Sequence, residues 1–296
     1  MLHEKFSKTF SDSVKRHWGY YVYIDRQLYL RHNLTEILRE TRKILKSIKN
    51  EKFDLVVDFQ GFGETALITW LSGTESRWGF PRSDFRKRFY NFYLQQVKSQ
   101  HAIEHNIELL ETAGLKTVEV KNNYKPSQDI LHKALQMFYS FGYVPDKPTI
   151  FIQPFTHFEN KNWPLQNFLE LAQYLDNKGG QIIFGGGPGD KDKLQEIAKR
   201  FPVTAGKASI MENVGLMWLS TLVVGGDTGL LHIATAMGKP VIMLMGPTRP
   251  ERYGPYGHPE RVITANDTKD IRTINVEQLI HKIQKEFEDI VEKNIS

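Results

Sequence analysis

The chain has 296 residues, 40% hydrophobic and 25% charged, with 39 Lys+Arg against 34 Asp+Glu, a net charge of +5 and no cysteine. That length is about twice the ~150-residue prior for one domain, so two domains are expected, and the apolar content is too high for a disordered chain. The missing cysteines exclude disulfides, thiolate zinc sites, iron–sulfur clusters and a cysteine nucleophile, while the mild positive charge suits a phosphorylated small molecule or an anionic membrane surface and does not by itself argue for nucleic acid.

No run reaches the ~18 apolar residues of a membrane span; the best, Val214 to Val224, is broken by Ser220 and Thr221. The first residues, Met1 to Lys8, carry charge where a signal peptide has an apolar core. A soluble, intracellular protein of two domains is expected.

Strand-like and helix-like runs alternate without an internal repeat. Tyr21–Ile24 reads as a short strand. Asn33 suits the N-cap of a helix in which Leu34, Ile37, Leu38, Ile44, Leu45 and Ile48 recur at helical spacing. Asp54–Asp58 is a near-continuous apolar run of the kind found in buried parallel strands, and an apolar-faced helix follows around Glu64–Leu71. The segment Gly142–Pro148 has two prolines and no periodicity, which places the boundary between domains 1–145 and 146–296. Beyond it, strands are expected at Thr149–Gln153, Gln181–Phe184, Thr221–Val224 and Pro240–Met245. Helices are expected at Pro164–Leu175, closed by Gly179 and Gly180, and at Ile274–Val291. Alternating strands and helices predict an α/β fold: two Rossmann-like domains facing each other across a cleft at the carboxyl ends of their strands.

Three connections carry candidate chemistry. In Leu222-Val223-Val224-Gly225-Gly226-Asp227-Thr228-Gly229-Leu230-Leu231-His232 an apolar strand runs through a tight turn into a helix. Asp227 or Thr228 can cap that helix, leaving backbone N–H groups at its positive end for an anion, with His232 one turn on from Thr228. The same residues also describe an ordinary capped strand–turn–helix. In Gln153-Pro154-Phe155-Thr156-His157-Phe158-Glu159-Asn160-Lys161-Asn162-Trp163-Pro164 a strand enters a polar loop whose Lys161 is placed to neutralise a leaving diphosphate. A solvated lysine is the plainer alternative. The Gly185-Gly186-Gly187-Pro188 turn follows a strand, but Pro188 removes a donor and the dinucleotide spacing is incomplete, so a tight turn with accessory ligand contact is expected.

Together these segments resemble glycosyltransferase family 9, which contains the ADP-heptose:lipopolysaccharide heptosyltransferases of GT-B fold. The ordered set is Lys161-Asn162-Trp163-Pro164, Gly185–Pro188, Ala205-Gly206-Lys207, Asp227–His232 and Gly246-Pro247-Thr248 through Gly254-Pro255-Tyr256-Gly257. Phe53–Gly61 and His101–Asn106 also look like family segments. The resemblance implies donor contacts from Thr156 and Lys161, diphosphate contacts from Asp227, Thr228, Gly229 and His232, and nucleoside contacts near Gly206 and Lys207. It further implies inverting transfer of heptose from ADP-heptose to a lipopolysaccharide inner-core acceptor, with no cofactor, metal or nucleic acid. The expected place of work is the cytoplasm, with peripheral contact at the inner membrane.

The family opens with a strand and a Gly-Asp loop whose aspartate is thought to be the catalytic base. Only Met1–Tyr20 precede the strand at Tyr21, and they hold no Gly-Asp pair, so the first domain is expected to be incomplete. Two explanations stand: a truncated or mis-started product, or a natural short form. No other residue inherits the base by motif, and Asp58 is expected to be structural or acceptor-positioning. A non-catalytic nucleotide-sugar-binding protein is the rival reading.

Two further patterns are weighed. His101-Ala102-Ile103-Glu104-His105 matches the H-x-x-E-H metalloprotease spelling. Ile103, Ile107 and Leu110 mark the helix's core face, which puts both histidines on the wet side, and no zinc is expected. Arg82–Lys98 interleaves Arg82, Arg86, Lys87, Arg88 and Lys98 with Phe85, Phe89, Tyr90, Phe92 and Tyr93 against one acid, Asp84. It reads either as a solvated basic helix with a buried aromatic face or as a surface meeting lipid phosphates.

Overall fold

The computed structural model describes residues 34–292 except 96, 98, 145 and 266–268. The strand expected at Tyr21–Ile24, the cap at Asn33 and the cation Lys98 lie outside the described residues. The chain divides into two compact units, Met1–Glu119 and Val120–Ser296, each with its own parallel sheet.

In the first unit, α1 (Leu34–Glu51), β1 (Leu55–Asp58), α2 (Gly63–Leu71), β2 (Ser76–Gly79), a 3₁₀ turn at Asp84–Phe89, β3 (Phe92–Tyr93) and α3 (Ala102–Thr112) follow in order. The strands lie in sequence order, with Leu55 opposite Ser76 and Trp78 opposite Phe92. Trp78, Phe80 and Leu109 form the core, joined by Leu55, Val57 and Phe92. Asp58, at the end of β1, is buried. Its Oδ1 accepts the N–H groups of Gln60 and Gly61, each at 2.9 Å, and its Oδ2 accepts the Tyr90 hydroxyl at 2.7 Å. Burial, together with the bond to the Asp58 carboxylate, pushes the Tyr90 phenol well up. With three donors already on it, Asp58 fixes the turn after β1, which is the structural half of the expectation.

Helix α3 corrects the expected placing of its histidines. His105 is only 2% exposed and stacks on Phe80 with ring centroids 4.3 Å apart, so the face turned to the core carries His105 and Leu109. His101 caps the helix, its Nδ1 accepting from the Ile103 N–H at 3.2 Å. One histidine is therefore packed and the other is a cap. No group of three or more His, Asp or Glu among the described residues is arranged to hold a metal.

The second unit runs α4 (Gln128–Ser140), β4 (Thr149–Gln153), α5 (Leu165–Asn177), β5 (Gln181–Phe184), α6 (Ile210–Leu219), β6 (Leu222–Gly226), α7 (Gly229–Ala236), β7 (Val241–Met245), α8 (Pro250–Tyr253), β8 (Val262–Thr264) and α9 (Val276–Glu292). Its five parallel strands lie in the order β5-β4-β6-β7-β8. Alternate residues of each strand feed opposite cores, as the two-residue period of a strand demands. Ile150, Ile152, Leu222, Val224, Ile242 and Leu244 pack with Phe168 and Leu171 of α5 and Leu279 and Ile283 of α9. Phe151, Val223, Val241 and Met243 pack with Ala134 and Phe138 of α4, Val214 and Met217 of α6 and Leu231 of α7.

This packing sets the unit boundary earlier than the proline segment. Helix α4 lies so close on α6 that a Cβ built on Gly215 falls 2.6 Å from the Ala134 Cβ, a contact only glycine permits. Helix α4 therefore belongs with the second sheet, and Gly142–Pro148 is the connection from α4 into β4. The apolar run Val214–Val224 is likewise the end of α6 and the start of β6, parted at Ser220 and Thr221.

Trp163 ties the terminal helix to the core. It is 2% exposed, meets Phe168 edge-on at 4.8 Å, and donates its indole N–H to the Ile274 carbonyl at 2.7 Å. Trp163→Phe keeps the ring but strands that carbonyl in an apolar site, and is expected to lower unfolding stability by about 2 kcal/mol. The urea midpoint at unchanged slope checks it.

Candidate functional site

The strand order puts a topological switch point between β4 and β6, because the chain leaves β4 toward β5 on one side and β6 continues the sheet on the other. In an open parallel sheet that is where connections diverge and leave a crevice at the carboxyl ends of the strands. The connections after β4 and β6 are the two polar segments singled out in the sequence.

After β4 the chain curls on itself. The Thr156 N–H donates to Asn162 Oδ1 at 2.7 Å, and the Thr156 hydroxyl donates to the Phe158 carbonyl at 2.7 Å while accepting the Phe158 N–H at 3.2 Å. Thr156 thus organises the loop. A one-turn 3₁₀ helix, Glu159–Lys161, follows and points the lysine at the neighbouring connection. Gly226 makes room for this: a Cβ there would lie 2.8 Å from Thr156 Cγ2 and 3.0 Å from the Lys161 carbonyl.

After β6, Thr228 is the N-cap of α7, its hydroxyl accepting the Leu230 N–H at 3.2 Å. Of the two expected capping residues it is Thr228 that caps, which leaves the Asp227 side chain for other partners. Lys161 Nζ donates to Asp227 Oδ2 at 2.7 Å, and His232 Nε2 lies 3.0 Å from Asp227 Oδ1. The Thr248 side chain, on the connection after β7, hydrogen-bonds Asp227 as well. Asp227 is 9% exposed, Lys161 23% and His232 41%, so the carboxylate lies deepest and the imidazole outermost. Burial pushes the Asp227 carboxyl up, but the bonds from His232, Lys161 and Thr248 and the lysine's charge outweigh it and hold the group well below the usual carboxylate range.

Beside this cluster, Gly229 at the tip of α7 is exposed, and no atom lies within 4 Å of where its Cβ would be. Open space thus borders the Gly229 side of this eight-residue helix's tip, where the Leu230 N–H is already taken by the Thr228 cap. Gly206 and Lys207 sit in an exposed turn after the bridge between Val203 and Phe184. They lie at the sheet's carboxyl end beyond β5, with β4 between that strand and β6. After β5, the Gly187 N–H is taken by Asp190 Oδ2 at 2.9 Å, which closes that turn on itself. The structure thus brings Lys161, Asp227 and His232 together at the tip capped by Thr228 and Gly229, with Gly206 and Lys207 farther along the same edge. Thr248 was not among the expected site residues. The Gly246-Pro247-Thr248 segment was noticed only as spelling, and its convergence on Asp227 depends on β7 lying beside β6.

Fold and site define an α/β protein whose Lys161–Asp227–His232 cluster lies at a parallel-sheet switch point, beside the N-terminus of a helix. Residues 41–283 match the profile of Glycosyltransferase family 9 (heptosyltransferase), and the chain belongs to that family; it is a glycosyltransferase. It is 28% identical over 229 residues to Lipopolysaccharide heptosyltransferase 1 of Salmonella typhimurium, covering 75% of this chain and 70% of that one. With Lipopolysaccharide heptosyltransferase 1 of Escherichia coli K12 the identity is 26% over 255 residues, covering 83% and 77%. Among solved structures, the fold resembles a glycosyl transferase family 9 protein from Veillonella parvula, at TM-score 0.75, 21% identity and 83% and 77% coverage. It also resembles E. coli heptosyltransferase WaaC with ADP, at TM-score 0.71, 23% identity and 88% and 82% coverage. The expected GT-B fold class holds.

Because its pKa in the folded protein lies below the unfolded value, Asp227 contributes stability that is complete above about pH 4 and is lost as pH falls below that. Asp227→Asn is expected to be less stable than the parent at pH 6, with the gap narrowing steadily between about pH 4 and pH 2. Paired urea titrations across that range measure it.

Proposed function

We propose that the second unit holds ADP-heptose and that the protein transfers heptose, with inversion, to a hydroxyl of a lipopolysaccharide inner-core acceptor. The observation that carries this reading is the Lys161–Asp227–His232 cluster beside the open tip of α7. A diphosphate at that tip would meet the first amides of the helix, the ammonium of Lys161 and the imidazole of His232 together. Asp227, with one oxygen on the Lys161 ammonium and the other on the His232 imidazole, acts by aiming them. Thr156 shapes the loop that carries Lys161, and Gly206 and Lys207 take the nucleoside end farther along the same edge.

In the transfer step the acceptor oxygen bonds to the anomeric carbon from the face opposite the diphosphate. The bond from that carbon to the phosphate oxygen breaks, ADP leaves with the electron pair, and a base takes the acceptor proton. The charge that builds on the leaving oxygen is what Lys161 and the helix tip stabilise, so no metal or cofactor is required. The names of the relatives, lipopolysaccharide heptosyltransferases, support heptose as the group moved and lipopolysaccharide as its acceptor. No helix among the described residues is long and apolar enough to cross a membrane; work at the cytoplasmic face of the inner membrane is part of the proposal.

Lys161→Met is expected to lower kcat/KM for transfer from ADP-heptose by roughly 30- to 1,000-fold, equivalent to about 2–4 kcal/mol of leaving-group stabilisation. Since the single change also strands part of Asp227, the pair Lys161→Met with Asp227→Asn serves as the charge-neutral control. Near-native turnover in both would remove Lys161 from the chemistry. Tight ADP-heptose binding by the parent without any transfer would instead favour a nucleotide-sugar-binding role.

A further inference from the structure

The first unit carries an aromatic surface that its own core does not use. Leu67 and Trp70, three residues apart on α2, are 40% and 49% exposed, and Phe85 at the start of the 3₁₀ turn is 60% exposed. The Phe89 ring joins them, 5.7 Å from Trp70 on one side and 5.7 Å from Phe85 on the other. A contiguous string of large apolar side chains on a monomer's surface marks a contact with something apolar.

The rim of the string is cationic. The segment Arg82–Arg88 has four cations and one acid. The Arg88 guanidinium lies 4.0 Å over the Phe85 ring. Arg82 and Arg86 donate to the carbonyls of Gln60 and Gly61 at 2.8 and 3.0 Å, contacts that neutralise no charge. Lys87 alone of the four pairs with the acid, Asp84, at 2.7 Å. Exposed Trp and Phe bordered by arginines that pair with no acid among the described residues match both layers of an anionic bilayer surface, with rings at the acyl boundary and cations among the phosphates.

We infer that Leu67, Trp70, Phe85 and Phe89, with Arg88 at their edge, dock the protein onto an anionic lipid bilayer. This extends the proposed function, resting on an acceptor held at a membrane, and it names the surface by which the enzyme reaches it.

The test is co-sedimentation of the full chain with vesicles of phosphatidylcholine alone or with about 30% phosphatidylglycerol, alongside transfer to a water-soluble, delipidated acceptor fragment. The parent should bind the anionic vesicles and leave the neutral ones. Trp70→Ser with Phe85→Ser should weaken that binding at least tenfold and leave transfer to the soluble fragment and the melting temperature unchanged. Arg88→Glu should weaken it by about fivefold or more. The inference fails if the parent does not prefer anionic vesicles, or if the double serine variant binds them like the parent. It also fails if the parent forms a dimer that the same two serines dissociate, since the surface then belongs to a second copy. Vesicle binding that depends on Trp70 and Phe85 supports it even where no transfer is detected, in which case the proposed function alone is lost.

Discussion

Asp227 is a carboxylate removed almost entirely from water, and a charge so placed is tolerated only if donors replace the solvent it has lost. Those donors come from three separate connections: Lys161 after β4, Thr248 after β7, and His232 from the helix that Asp227 itself precedes. None of these loops need lie near the others for the sheet to form. The buried charge draws them together, and the bare α-carbon of Gly226 lets the lysine loop pass closely enough to respond. Convergence at the switch point is thus the consequence of one electrostatic requirement imposed on a parallel sheet.

The same requirement gives the site two states of charge. Without a ligand, Lys161 answers Asp227, and the cluster is compensated. In the proposed reading an anion arriving at the tip of α7 competes with Asp227 for the ammonium and for the imidazole, with the helix end adding its own attraction. On that reading the carboxylate keeps the ammonium and the imidazole aimed before the donor arrives and remains as their second partner afterwards. Preorganisation of this kind is worth most where the surroundings are already dry.

The elements that the sequence discloses are those with strong local signals, and the missed ones have physical reasons. Strands β4, β5, β6 and β7 are buried on both faces and announce themselves as apolar runs. Ser76-Arg77-Trp78-Gly79 does not, because β2 has a single large apolar residue; β3 is two residues long. Helix α6 is hard to read because Asn213 and Gly215 are buried along with Val214 and Leu216, so no polar face betrays its period. Its Asn213 is accommodated by a bond from the Thr204 hydroxyl at 2.7 Å, a partner remote from any local pattern. At the site, Lys161, Asp227, Thr228 and His232 were visible as strand-end residues, while the contribution of Thr248 and the pairing of Lys161 with Asp227 exist only once strands adjoin. For His105, hydrophobic spacing points to the wrong face: Ile103 and Ile107 mark the core side by pattern, but the histidine stacked on Phe80 is buried while they are half-buried.

The basic aromatic segment shows how helix type changes the meaning of a sequence. At 3.6 residues per turn, Phe85 and Phe89 would share one face and the cations would point elsewhere, which is the basis for expecting a buried aromatic side. The segment instead forms a six-residue 3₁₀ turn, in which residues three apart eclipse one another. Phe85 then aligns with Arg88, and Arg86 with Phe89. The guanidinium above Phe85 is the direct outcome, and it cannot be packed away because the charge would have to follow the ring inside. Tyr90, beyond the end of the turn, goes inward with its hydroxyl on Asp58, and Phe92 follows it against Trp78. The three-residue period thus sets Arg88 over Phe85 and keeps that ring at the surface, where an α-helix of the same composition would have separated the two.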